Sequence, residues 1–243
     1  MSPRPGNAPP AADLAYLIRL RVAPQNMYQT EIELKTLAAA VAAEELASGD
    51  LQVFTAVRVP DDPGVYHIYG QLKRSARDRH LAGPKAAEAL DWLQPHLVTP
   101  YERVEFEPIA LWGADIAPGS PLDGDVAWRF TVRTKPGLED SYEDLGDDIY
   151  AAMAEEEFPT GNVKTYCTLR VVGDPGRYVM FEHFTATGSA MHAKGPNVIR
   201  PGARQLRTLV PPFERLRYEP VAAIGVAHAN YGSTAPAARR GRR

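Results

Sequence analysis

Among 243 residues there is one cysteine, Cys167. That excludes an intramolecular disulfide framework and fits a reducing compartment. The residue itself reads as a small apolar group buried on a strand. A strong excess of charge is also missing. With 27 Lys+Arg against 30 Asp+Glu, the formal net charge is −3, and the chain as a whole carries no footprint for nucleic acid. No apolar run approaches the ~18 residues of a membrane span. Met1-Ser-Pro-Arg-Pro-Gly6 lacks the apolar core of a signal peptide, so the expected location is the cytoplasm. There is no phosphate-cradling glycine loop and no G-x-S-x-G elbow. The missing dinucleotide fingerprint speaks against a bound nicotinamide or a Rossmann-held flavin. The six histidines (67, 80, 96, 183, 192 and 228) show no metal-ligand spacing, so no metal is expected.

What the chain does have is a repeat. His192-Ala-Lys-Gly195-Pro196 is followed by Pro212-Phe-Glu214-Arg215 and Glu219-Pro220. His80-Leu-Ala-Gly83-Pro84, Pro100-Tyr-Glu102-Arg103 and Glu107-Pro108 precede them in the same order, each 112 positions earlier. Asp62-Pro63-Gly64 likewise matches Asp174-Pro175-Gly176, and Glu44-Glu45 matches Glu156-Glu157. An ungapped offset over so many Gly, Pro, His and charged positions marks a doubled unit.

Each copy reads as the same series of elements. Leu14–Val22 is strand-like by its branched residues. From Tyr28 to Leu46 the apolar period becomes helical, and Gly49 suits a left-handed cap. Leu51–Val59 and Val65–Leu72 form a hairpin across Asp62-Pro63-Gly64. A helical region from Ser75 to Leu97 is interrupted near Gly83-Pro84. The last strand, Glu102–Leu111, contains Pro108, which predicts an edge or a bulge. The second copy repeats this with strands Val126–Thr134, Val163–Val172, Arg177–Thr185 and Glu214–Val226. Its helical regions are Leu138–Glu157 and Ser189–Leu209. The acidic pairs Glu139-Asp140, Glu143-Asp144 and Asp147-Asp148 read as a solvated helix face.

The expected fold is therefore α+β: two tandem ferredoxin-like (β-α-β-β-α-β) units packed sheet to sheet as an α+β barrel. The expected divisions are a disordered lead-in at 1–12, one unit at 13–113, a linker at 114–124, a second unit at 125–227 and a disordered basic tail at 228–243.

This order resembles the dimeric α+β barrel proteins of the antibiotic-biosynthesis-monooxygenase type. The resemblance rests also on the third strand of the second copy, Tyr178-Val-Met-Phe-Glu182-His-Phe184, and on His192 in the helix after it. The tandem arrangement looks like the angucycline ring-opening oxygenases. The resemblance implies an oxygenase that tailors a polycyclic aromatic polyketide with O2 in antibiotic biosynthesis. Either hydroxylation to a quinone or, with reduced flavin, oxidative ring opening is implied. It implies no tightly bound cofactor. Reduced flavin (FADH2 or FMNH2) from a flavin reductase stays open as a diffusible co-substrate, as does a homodimer. A haem-binding chlorite-dismutase-like barrel and a non-catalytic ligand-binding barrel are the rival readings.

The two copies differ where chemistry could sit. Gly70-Gln71 becomes Glu182-His183, Thr55 becomes Cys167 and Tyr16 becomes Trp128, so the pocket is expected in the second unit. His192, His183 and Glu182 are the candidate catalytic residues, with His192 as proton acceptor. Its alternative is a helix histidine that holds its own turn. Trp128, Tyr166, Tyr178 and Phe184 are the candidate substrate-binding residues, able to stack on a flat ligand. Core packing is the competing reading for each. Because strand residues alternate, Glu182 and His183 should face opposite ways. Glu214 and Arg215, which recur as Glu102 and Arg103, read as a structural ion pair or a strand-start anchor.

Overall fold

The computed structural model describes residues 12–230. The expected lead-in, except Ala12, and the tail beyond Asn230 lie outside the described residues. The first half contains β1 (Leu14–Arg21), α1 (Met27–Val41), β2 (Leu51–Arg58), β3 (Val65–Leu72), α2 (Arg77–Ala82), α3 (Pro84–Leu93) and β4 (Glu102–Gly113). The second repeats the order with β5 (Val126–Arg133), α4 (Glu139–Glu156), β6 (Val163–Val171), β7 (Arg177–Phe184), α5 (Ala186–His192), α6 (Pro196–Gln205) and β8 (Glu214–Gly225). β9 (His228–Asn230) follows.

The halves are not two sheets stacked on each other. All nine described strands form one sheet in the order β1-β3-β2-β8-β5-β7-β6-β4-β9, which β4 closes by pairing also with β1. β4 and β8, 12 residues each, make this closure. Glu102–Phe106 pair with β1, and Phe106–Gly113 cross to β6. Glu214–Tyr218 pair with β5, and Glu219–Gly225 cross to β2. The register slips at both crossings, between Pro108 and Ala110 and opposite Pro220. Proline has no N–H for the ladder, so the strand bends where it leaves one half for the other. The expected bulge is present, and it lies inside the sheet rather than at an edge.

The barrel interior is shared. Leu17, Val57, Tyr69 and Phe106 meet Cys167, Phe181 and Tyr218 there. Tyr69 and Phe181, equivalent by the repeat, stack with ring centroids 4.5 Å apart. Cys167 is fully buried as expected, accepts from the Tyr69 hydroxyl at 3.0 Å, and burial pushes its thiol up to about 12. Outside the barrel, α1 packs Leu34, Ala38 and Val41 over the first half. α4 packs Ile149, Tyr150 and Met153 over the second.

Several expectations are corrected locally. The first helix ends at Val41 and continues as a π turn, Ala42–Leu46, that carries Glu45 toward His80. β9 lies inside the segment expected to be a disordered tail and pairs with Leu111–Gly113. The His228 ring takes the place where a side chain at Gly113 would stand, and its Nε2 is 2.6 Å from Gln71 Oε1. The acidic face of α4 is not wholly solvated, because Glu143 bonds Tyr178 and Arg170. No helix among the described residues is long and apolar enough to cross a membrane.

Candidate active site

β7 sorts its side chains as strand alternation requires. Val179 and Phe181 belong to the barrel interior, whereas Tyr178 and Phe184 join the clusters under the helices of the second half. Glu182 is on the helix side and lies opposite Trp128 and Tyr166 in the ladder. His183 is on the other face, fully buried, with Nε2 3.0 Å from Asp125 Oδ2. Burial pushes its pKa down against the pull of Asp125. The structure therefore unites Glu182 with His192 and leaves His183 out.

His192 ends α5, a short helix whose start is capped by Thr185, the Thr185 hydroxyl accepting from Gly188 N. Its Nδ1 is 2.9 Å from Glu157 Oε2, and its Nε2 is 4.0 Å from Glu182 Oε1. Phe184 lies against the imidazole at 4.9 Å. With Nδ1–H given to Glu157, Nε2 faces the second carboxylate. Burial opposes a charge on His192, but the hydrogen bond to Glu157 and the field of Glu182 outweigh it and raise the pKa. Burial likewise raises Glu182, against the lowering pull of His192 and Arg215. His192 and Glu182 each bind a proton more tightly than they do in water, and the pair can take one from a ligand.

Trp128 is half-buried beside this cluster, and the Arg215 guanidinium sits 3.9 Å above its ring. The expected Glu214–Arg215 pair does not form: Glu214 binds Arg129 at 2.7 Å. Tyr166 is fully buried near Glu182. Tyr178 is committed elsewhere. Its hydroxyl donates to Glu143 at 2.8 Å beside Arg170, and the first half repeats this with Tyr66, Glu31 and Arg58. A triple present in both halves is scaffold, so Tyr178 holds α4 on the sheet.

The first half shows the same site closed. His80 keeps its carboxylate, with Nδ1 2.5 Å from Glu45 Oε2. Its Nε2 meets the Tyr16 hydroxyl at 3.0 Å instead of a second carboxylate. Tyr16 is 1% exposed and lies directly over Gly70, where a Cβ would overlap its ring. Arg103 covers the ring at 4.4 Å. Tyr16 with Gly70 fills the space that Trp128 with Glu182 occupies at the other site.

Three participants escape notice in the sequence. Glu157 hides in a helical run of glutamates, and only its match to Glu45 within the repeat marks it. Arg215 looks structural because it recurs. Tyr142 is fully buried, its hydroxyl has no protein partner, and it stands where the first half has Thr30. Among the described residues, no group of three or more His, Cys, Asp and Glu is arranged to hold a metal ion.

No family model and no curated protein matches the sequence. Solved structures do match. A protein assigned as a monooxygenase from Lactobacillus acidophilus is 10% identical with a TM-score of 0.78, over 90% of this chain and 99% of its own. One so assigned from Fusobacterium nucleatum is 9% identical with a TM-score of 0.79, over 91% and 99%. An anthrone oxidase-like protein is 12% identical with a TM-score of 0.54, over 93% and 99%. At such identities the likeness concerns the fold: this chain shares its α+β architecture, along nearly its whole length, with those proteins.

Proposed function

We propose that the chain is an oxygenase of the antibiotic-biosynthesis-monooxygenase type. In this reading it is a tandem ferredoxin-like barrel that oxidises a phenolic polycycle, such as an aromatic polyketide, with O2 at the helix-side site of its second half. The observation that carries this is the difference between equivalent sites: His192 held between two carboxylates, Glu157 and Glu182, beside Trp128 in one half, and the same His–Glu pair capped by the Tyr16 hydroxyl in the other. The names of the structural neighbours point the same way.

The substrate ring packs at the edge of Trp128, beside the Arg215 guanidinium that covers one face of the indole. His192 Nε2, oriented by Glu157, takes the proton from a phenol or from an activated ring CH2. The electron-rich anion passes one electron to O2, and recombination forms the C–O bond of a hydroperoxide. Loss of water leaves the quinone carbonyl, so CH2 plus O2 becomes C=O plus H2O. The proton held at His192 and Glu182 leaves with the departing water. Reduced flavin as a diffusible co-substrate would supply electrons for ring opening instead.

The test is oxygen uptake by the purified chain on anthrones and naphthols, with and without FMNH2. Turnover without flavin supports quinone formation, and turnover only with flavin supports ring opening. Failure on both, with a Soret band in the resting protein, would replace this reading with a haem barrel.

The pH dependence has a definite sign. Neutral His192 is the working base, and its pKa is raised above 6.5. kcat/KM is therefore expected to rise with pH through a value above 6.5, and Glu157→Gln to move that limb to lower pH. Stability runs the other way. Both groups bind protons more tightly folded than unfolded, so stability falls as pH climbs from 4.5 to the raised value of Glu182. It falls again as pH climbs from 6.5 to that of His192. Thermal melts across this range check it, and a flat pH–rate profile there would remove His192 as the base.

A further inference from the structure

The layer between helices and sheet is more polar in the second half than in the first. Leu34, Ala56 and Leu93 belong to the apolar core of the first half, and the repeat sets Gly146, Thr168 and Gln205 in their places. All three second-half residues are buried. Phe54 likewise becomes Tyr166, opposite Glu182 in the ladder. Thr30 becomes Tyr142, and the two hydroxyls differ in condition. Thr30 Oγ1 donates to Asn26 O at 2.9 Å. Tyr142 is firmly held, yet its hydroxyl bonds nothing. Its ring packs on Tyr178 with centroids 4.5 Å apart, and the Gln205 amide donates to its backbone carbonyl at 3.1 Å. Of the buried tyrosines among the described residues, Tyr142 alone has a hydroxyl without a hydrogen-bond partner. A buried hydroxyl in that state destabilises the fold and calls for an explanation.

We propose that Tyr142 is a specificity residue of the second-half site: its hydroxyl bonds a second oxygen of a polycyclic phenol whose first oxygen lies at His192. This rests on the reading of that site as one for a phenolic ligand. β7 supplies the path. Glu182, Met180 and Tyr178 share its helix-side face, and the Tyr142 ring covers Tyr178. Met180 therefore lies between the His192–Glu182 pair and the ring stack of Tyr142. From Tyr178 to Phe184 it is the one residue that is not buried. Its counterpart in the first half is the buried Ile68. An unbranched methionine can turn aside for a ligand, where a β-branched isoleucine is stiff. Four residue steps separate Glu182 from Tyr178, about 13 Å along the strand, a span for a fused ring system with oxygens at both ends. Tyr142 also lies within the field of Glu182. Burial, then the charges of Tyr178, Glu143 and Glu182, raises its pKa, so the hydroxyl keeps its proton. As a neutral phenol it can donate to a carbonyl or phenol oxygen. A site that bonds a ligand oxygen discriminates against the analogue that lacks it.

The test titrates the full chain by calorimetry with 2-naphthol and with 2,6-dihydroxynaphthalene, which needs no turnover. The parent is expected to bind the diol about tenfold more tightly, and Tyr142→Phe to bring the two ligands level. The variant is expected to melt at or above the parent's temperature, because the hydroxyl it loses has no partner. A hydroxyl with a structural role would lower the melting temperature instead. A parent that binds both ligands equally or binds neither, a variant that keeps the preference, or a variant that melts lower overturns the proposal. Oxygen uptake is read separately. Turnover by the parent, with a preference that survives Tyr142→Phe, sinks the role of Tyr142 alone. A preference lost in the variant, with no turnover in the parent, sinks the oxygenase reading alone.

Discussion

Replacing His192 by glutamine is expected to lower the rate of oxygen uptake by about 10²–10⁴-fold, the range that a positioned general base contributes. Glutamine keeps the bulk against Phe184 and can still bond Glu157, so the fold should survive and the loss should fall on kcat. His80→Gln is the matched control. His80 holds the same kind of carboxylate, but its Nε2 is sealed beneath Tyr16, so its loss should cost stability and leave the rate nearly unchanged. Glu182→Gln should reduce the rate while returning the His192 pKa toward its ordinary value, because it removes one of the two carboxylates that raise it. A large rate loss in His80→Gln with none in His192→Gln would place the working site in the first half and sink the assignment.

The second large effect concerns stability. Gly70→Ala is expected to cost about 1–3 kcal/mol, the usual cost of overpacking a well-filled core. The added methyl group collides with the Tyr16 ring, which cannot withdraw: it is walled in by Arg103 on one side and bonded to His80 at 3.0 Å. Tyr16→Ala alone removes a fully buried ring and should cost about 3–5 kcal/mol. The informative experiment is the double variant. With the ring gone, the methyl group meets open space, so the two costs should fall well short of adding. At this chain length, 1 kcal/mol corresponds to about 2–4 °C in Tm, so thermal melts resolve the cycle. Strict additivity would mean that Tyr16 does not occupy the space that Glu182 takes in the other half.

Both predictions exploit the repeat, and the repeat was legible without coordinates. Glycine, proline and histidine recur at one spacing because turn dihedrals, strand bends and the helix break at Gly83-Pro84 each demand a particular residue type. The hairpin glycines show the demand directly: Gly64 and Gly176 have φ of +87° and +77°. Alternation along Tyr178–Phe184 also showed that Glu182 and His183 must part company, since a strand has only two faces. The order of elements in each half followed from the same local rules.

Other features depended on partners distant in the chain. Nothing local tells β4 and β8 to leave their own halves midway, and a single closed sheet results only because each half offers the other an unpaired strand. Which face of β7 carries the site depended on where the helices settle, and that was decided by packing. Glu157 became a candidate only when α4 and α5 brought it to His192 across 35 positions of sequence. The sealing of the first site required seeing one ring over one glycine. Sequence by itself thus determined the order of elements in each half, the turns and the alternation of each strand, because these are set by the backbone preferences of neighbouring residues. Tertiary structure alone decided which histidine meets two carboxylates, which ring caps its counterpart and which charges pair, because those depend on groups contributed by several distant elements at once.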